Sequence, residues 1–186
     1  RDIPPDGKID VGLDPENGQV EFSVQNPRIY FGENTSSYVV VNSKTAELDY
    51  QTKSDDIVRT NYFGSGGVKL NSILRKALYA WQFGDLNILI SGEITSSSRL
   101  QYRRLIQERI GTVAPFLKLD KDPYIVATSD RFYWVQDAYT TSNRMPYSQP
   151  YEGHINYIRN SVKIVVDAFE GSMFFYIADD TDPIIK

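Results

Sequence analysis

Residues able to do chemistry are few in this chain, and they are scattered. His154 is its single histidine, and it sits in a Pro/Gly-rich loop beside Glu152. A Ser-His-Asp or Cys-His system would have to use it, because an activated nucleophile needs a positioned base. The surroundings favour an ordinary loop histidine instead. There is no cysteine, which removes thiolate catalysis, disulfides and cysteine-based metal sites. A single histidine also removes multi-histidine zinc. No catalytic residue, metal or cofactor is assigned.

Two stretches remain as ligand-binding candidates. The first is GSGGVK, with Gly64, Ser65, Gly66, Gly67 and Lys69. It opens a helical pattern, and free backbone N–H groups at such a start bind anions. The Walker spacing that defines a P-loop is missing, so the plainer reading is a flexible entry into the helix. The second is the run from Tyr133 to Tyr151, which interleaves aromatics with Asp137, Tyr139, Arg144 and amides. That mixture stacks on sugars or anchors protein interfaces, although its first half reads as a strand and belongs to a core. Asp10, Asp14 and Glu16, and Asp179, Asp180 and Asp182, form acidic clusters without EF-hand spacing, and turn chemistry explains them. Arg99, Arg103, Arg104 and Arg109 lie close together in sequence. A net charge of −4 nevertheless argues against nucleic acid as a partner.

The elements that must position these groups follow from periodicity. A Pro/Gly/Asp-rich surface arm (1–26) ends in an edge strand, VEFSV. YVVVNS and TAELDY, parted by Ser43-Lys44, read as a hairpin. The clearest helix runs through GSGGVKLNSILRKALYAWQFG, with Leu70, Ile73, Leu74, Ala77, Leu78 and Trp81 as one apolar stripe. Lys69, Ser72, Arg75, Lys76 and Tyr79 lie opposite. Gly84 is its stop, and DLNILIS continues as a short second helix. A third follows the TSSS cap. Tyr102, Ile106, Ile110 and Val113 form one face of it, while Arg103, Arg104 and Gln107 turn to solvent.

FLKL, PYIVATS and RFYWVQDAYTT supply strands, the last two joined at Ser129-Asp130 as a hairpin. The tail, Asn156 to Ala178, is a second hairpin with Glu170-Gly171 at its apex. Val162, Ile164, Val166 and Ala168 point one way along its first strand. Both faces of its second strand are apolar, so the two strands read as central in a sheet.

The chain is 186 residues long, 41% hydrophobic and 24% charged. That suits a single soluble domain, divided into the arm, strands (27–60), helices (67–114) and strands (116–178). The expected class is α+β, a mostly antiparallel sheet built from hairpins with two to three central helices packed on it. The helical middle is net basic and its flanks acidic, as a solvated basic helix face would be. No window approaches the roughly 18 apolar residues of a membrane span. The start at Arg1 without Met and the close on DDTDPIIK read as a piece of a longer protein.

Several phrases occur in a characteristic order: RDIPP, PRIYFGE, GGVKL, FGDLN, ITSSSR, ERI with VAPFL, DPY, YWVQDAYTTS and NYIRNSVKIVVDAFEG. In these the chain resembles uncharacterised protein family 0182, large multi-pass bacterial membrane proteins, over nearly its whole length. It departs from that pattern at Asn143, Met145, the FEG of the tail turn and residues 6–22.

The resemblance implies a soluble, extracytoplasmic slice of a protein of the bacterial cell membrane. It carries no catalytic role over. The implied partners are the remainder of its own membrane protein, and another envelope protein or a glycan. Direct membrane insertion by this piece is not expected. The leading expectation is an interaction or structural module of unknown biochemical function. The alternative is a glycan- or anion-binding domain, with a hydrolase as its enzymatic variant, in a pocket lined by Asp137, Tyr139 and Arg144 or by the glycine loop.

Overall fold

The structure is a computed structural model that describes residues 8–14, 18–51, 57–151 and 155–185. His154, Glu152 and Glu16 lie outside the described residues. The architecture is α+β with antiparallel sheets. A hairpin of β1 (Lys8–Asp14) and β2 (Gly18–Ser23) forms the arm. The main sheet holds β8 (Lys118–Leu119), β9 (Tyr124–Ala127), β10 (Phe132–Ser142), β11 (Tyr157–Asp167) and β12 (Met173–Ile177). A small sheet is ordered β3 (Val39–Val41), β7 (Arg99–Gln101), β6 (Val68–Lys69), and β4 (Glu47–Gln51) pairs with β5 (Ile57–Thr60).

The two long strands carry the fold. β10 and β11 pair from Tyr133↔Asp167 to Ser142↔Tyr157, with a bulge between Ala138 and Thr140. The expected alternation holds, for Val162, Ile164, Val166 and Ala168 are all buried. Helix α3 (Ile106–Val113) covers this inner face, setting Ile106 and Ile110 against Ala138, Val162, Ile164 and Val166. Each such aliphatic side chain, fully buried, stabilises the fold by about 1.5–3 kcal/mol. The β9–β10 hairpin forms as expected.

The tail turn differs from the expected two-residue apex. Residues 168–172 connect the strands, with Gly171 N–H donating to the Asp167 carbonyl at 2.8 Å. Asp167 also accepts the N–H groups of Phe169 (2.8 Å) and Glu170 (3.0 Å) on its carboxylate. Gly171 has φ 72°, and a Cβ there would meet the Phe31 ring at 2.6 Å, so only glycine fits. The turn is long because Phe169 must reach back into the body of the protein. It lies 4.9 Å from the Tyr62 ring, 5.4 Å from Tyr30 and 4.7 Å from Phe63.

Four other expectations are corrected. β12 is an edge strand, with Phe174, Phe175, Tyr176 and Ile177 exposed. β3 pairs with β7 rather than with β4, and Val41 is buried there. TSSS is a turn leading into β7, not a helix cap. Arg104 and Gln107 turn inward, donating to the Tyr30 carbonyl (2.6 Å) and the Asp120 carbonyl (3.2 Å).

Helix α1 (Ile73–Phe83) forms within the expected stretch but starts later, because the glycine loop leads into strand β6 at Val68–Lys69 rather than into the helix. Gly84 closes it, its N–H reaching the Ala80 and Trp81 carbonyls. α2 (Asn87–Ile90) follows. The face that α1 buries, however, is rotated from the expected one: Lys76 and Tyr79 are half-buried, whereas Lys69, Ser72 and Arg75 stay exposed as expected. Leu70, Ala80, Ile88 and Leu100 make the small core, joined by Tyr79, Phe83, Tyr38 and Tyr102. Ile73, Leu74, Leu78 and Trp81 all point outward. Aromatic packing explains this. Tyr79 and Phe83 meet Tyr102 at ring distances of 5.7 and 6.0 Å, and Phe83 meets Tyr38 at 4.7 Å. Lys76 finds the Ile94 carbonyl at 2.8 Å on the same side.

Candidate functional site

The glycine loop is held by its own neighbours. Ser65 donates to Glu170 in the tail turn, through its N–H at 3.3 Å and its hydroxyl at 2.9 Å. Gly66 N–H donates to the Tyr62 hydroxyl at 2.9 Å. Arg99 Nη1 takes the carbonyls of Ser65 (2.6 Å) and Gly67 (3.0 Å). The carboxylate of Glu170 thus sits where an external anion would. Burial pushes the Tyr62 phenol up. Gly66 lies against the tail turn so closely that a Cβ would fall 2.2 Å from the Glu170 carbonyl oxygen. Gly64 approaches Tyr62 in the same way, and Lys69 is exposed at the end of β6.

Tyr133, Asp137 and Tyr139 share the outer face of β10, since odd positions alternate with the buried Phe132, Gln136, Ala138 and Thr140. Asp137 stands opposite Lys163, pairs with it, and accepts from Asn160 Nδ2 at 3.2 Å. The Tyr139 hydroxyl donates to Asp120 at 2.6 Å. That bond holds the Asp120 carboxyl below the usual range and raises the Tyr139 phenol. Arg144 is exposed in the following loop. The structure therefore brings Asp137 and Tyr139 to one face, where their polar groups are already partnered, and leaves Arg144 off it. Clefts of about 550 Å³ and 570 Å³ lie elsewhere. One is lined by Arg28, Tyr30, Glu47, Asp49 and Arg104. The other is lined by Tyr151, Asn156 and Tyr157, among others.

Along the sheet, the outer row Tyr124–Val135–Val165–Phe174 runs beside Asp137–Lys163–Tyr176. Tyr124, Phe174 and Tyr176 stay exposed on it. The largest departure from an ordinary surface is on α1 and α2. Trp81 is 84% exposed, Ile73 78% and Ile90 73%, with Leu74, Leu78 and Leu86 beside them. Singly exposed apolar residues are commonplace, but Ile73, Leu74, Leu78 and Trp81 share one face of α1 by helical spacing.

The whole chain, residues 1–186, matches the Uncharacterised protein family (UPF0182). The chain belongs to this family. A UPF0182 protein of Cupriavidus necator is 51% identical over 164 residues, covering 88% of this chain and 18% of the relative. One from Sulfurovum sp. (strain NBC37-1) is 46% identical over 178 residues, covering 92% and 19%. One from Pelotomaculum thermopropionicum is 44% identical over 171 residues, again covering 92% and 19%. The chain thus spans about a fifth of the length of these UPF0182 relatives. No solved structure gives a significant match. Among the described residues, no helix is long and apolar enough to cross a membrane, and no three His, Asp or Glu side chains gather as a metal site.

Sequence reading missed the groups that organise these places. Tyr62, Arg99 and Glu170 fix the glycine loop from three separate segments. The signal available was the serine-glycine composition, which announces a turn and not its partners.

Proposed function

We propose that this region is a non-catalytic docking module of a longer bacterial membrane protein, lying on its extracytoplasmic side. The apolar face of α1 and α2 seats against another part of that same chain. The outward-facing group Ile73, Leu74, Leu78, Trp81, Leu86 and Ile90 carries this reading. Left in water, such a group forfeits about 25 cal/mol for every Å² that a partner could cover. The length of the relatives supports the choice of occupant, since four-fifths of each lies outside the matched region. The resemblance of phrases such as NYIRNSVK and QDAYTTS supports the membrane setting and the side. The packing of the glycine loop and of Asp137 and Tyr139 against their own neighbours supports structural roles for those residues.

The test is a triple substitution, Leu74→Ser, Leu78→Ser and Trp81→Ser, made both in this chain alone and in the full-length protein. Limited proteolysis should show the short chain unaffected and the full-length protein newly cleaved around the substituted helix. Equal protease resistance of the full-length wild type and variant would refute the docking.

A further inference from the structure

A separate cleft of about 280 Å³ opens between the start of β6, the segment before α3 and the inner face of β12. Arg103, Arg109, Val68, Val113 and Met173 line it. Arg109 lies over the Phe31 ring with its guanidinium carbon 4.8 Å from the centroid. Its Nε donates to the Gly171 carbonyl at 2.7 Å, and its Nη1 reaches only the Tyr102 carbonyl at 3.5 Å. Among the described residues Arg109 has no carboxylate partner, and Arg103 has only Glu108 at 4.0 Å. A pair so long and exposed adds little.

Two further observations point the same way. The two cations line one small space, where burial depresses the Arg109 guanidinium, Tyr102 opposes that, and the like charge of Arg103 adds to it. Arg103 also holds a left-handed backbone, φ 49°. A non-glycine residue seldom adopts that conformation, and Arg103 lines the cleft. Backbone outliers of this kind cluster at ligand clamps among other functional sites.

We infer that the Arg103–Arg109 cleft binds a dianionic oxyanion group of the phosphate-ester type. Arginine forks match phosphate oxygens in pairs. Two adjacent positive charges favour a dianion over a monoanionic carboxylate. Val68, Val113 and Met173 offer an apolar wall to a short carbon body attached to it. The group could be carried by a soluble ester or by a lipid headgroup. The site is distinct from the α1–α2 face and independent of its docking.

Calorimetric titration of the chain with inorganic phosphate, with glycerol phosphate and with acetate tests this. Vesicles of phosphatidic acid, against vesicles of phosphatidylcholine, separate the lipid source from the soluble one. The informative variant is Arg103→Gly, because glycine adopts positive φ freely and the fold is retained while the charge is lost. Saturable binding of the phosphate compounds in the millimolar range or tighter is expected, with acetate weaker. Arg103→Gly should weaken it by about tenfold or more, and Lys69→Ala should leave it unchanged. Absence of saturable phosphate binding, or a loss in Lys69→Ala with none in Arg103→Gly, would overturn the assignment.

Discussion

Ala80 and Trp81 are consecutive in α1 and have opposite environments: Ala80 is 3% exposed and Trp81 84%. The smaller residue is in the core and the largest is in water. A helix packed for its own stability alone would be rotated the other way. The rotation is imposed by Tyr38, Tyr79, Phe83 and Tyr102, whose rings fill the space beneath the helix. It leaves Ile73, Leu74, Leu78 and Trp81 exposed.

Stability of the chain alone should therefore ignore these four residues. Leu78→Ser and Trp81→Ser should each change the unfolding free energy by no more than about 0.5 kcal/mol, as surface changes do. Leu70→Ala, at a fully buried position, should cost about 2–5 kcal/mol. Urea denaturation followed by circular dichroism reads both.

The stripe was legible as a helix and illegible as a surface, because period 3.6 shows which residues share a face and not where the face points. The β10–β11 alternation was legible for the opposite reason. Val162, Ile164 and Val166 sit in a strand whose other face carries Lys163, so burial was decided locally. The small sheet was not legible. β3 pairs with β7 across nearly sixty residues of chain, and no local turn announces that. Arg103 looked like one more solvent-facing arginine, since a positive φ leaves no mark in the sequence.

The contact between glycine loop and tail turn should be intolerant of bulk. Gly66→Ala places a Cβ 2.2 Å from the Glu170 carbonyl oxygen, backbone that cannot swing aside. A loss of about 1–3 kcal/mol is expected, as for other overpacked sites. Ser65→Ala, which removes one exposed hydroxyl bond to Glu170, should cost no more than about 1 kcal/mol. Thermal unfolding of the two variants gives the ordering.

Asp182 ties the C-terminal segment to the long strands. Its buried carboxylate accepts from Thr140 and Ser161, from Tyr157 at 2.8 Å and from Ile184 N–H at 2.9 Å. Burial works to raise its pKa, but these four donors outweigh it and hold the carboxyl well below the usual range. A depressed folded value means stability present in full above the unfolded carboxyl's pKa of about 3.9, and lost as pH falls through the folded one. Asp182→Asn should cost on the order of 1–3 kcal/mol at neutral pH. The gap to wild type should narrow below about pH 4, as acid titration of the unfolding free energy would show.

Tyr38 gives the alkaline counterpart. Its hydrogen bond to Asp85, helped by burial, pushes the phenol up to about 12. A raised folded value contributes stability fully present below the unfolded phenol's pKa of about 10 and lost as pH rises through the folded one. The difference between the ultraviolet titrations of wild type and Tyr38→Phe should show the Tyr38 tyrosinate appearing near pH 12. Asp85→Asn should bring that transition down.

The docking of α1 is tested most directly by maleimide labelling of Trp81→Cys, the protein having no other cysteine in this region. In this chain alone the thiol should react at the rate of a free cysteine. In the full-length protein held in detergent it should react roughly tenfold more slowly or less, protected by the partner segment. Equal rates in the two would contradict the docking of this face within its own chain.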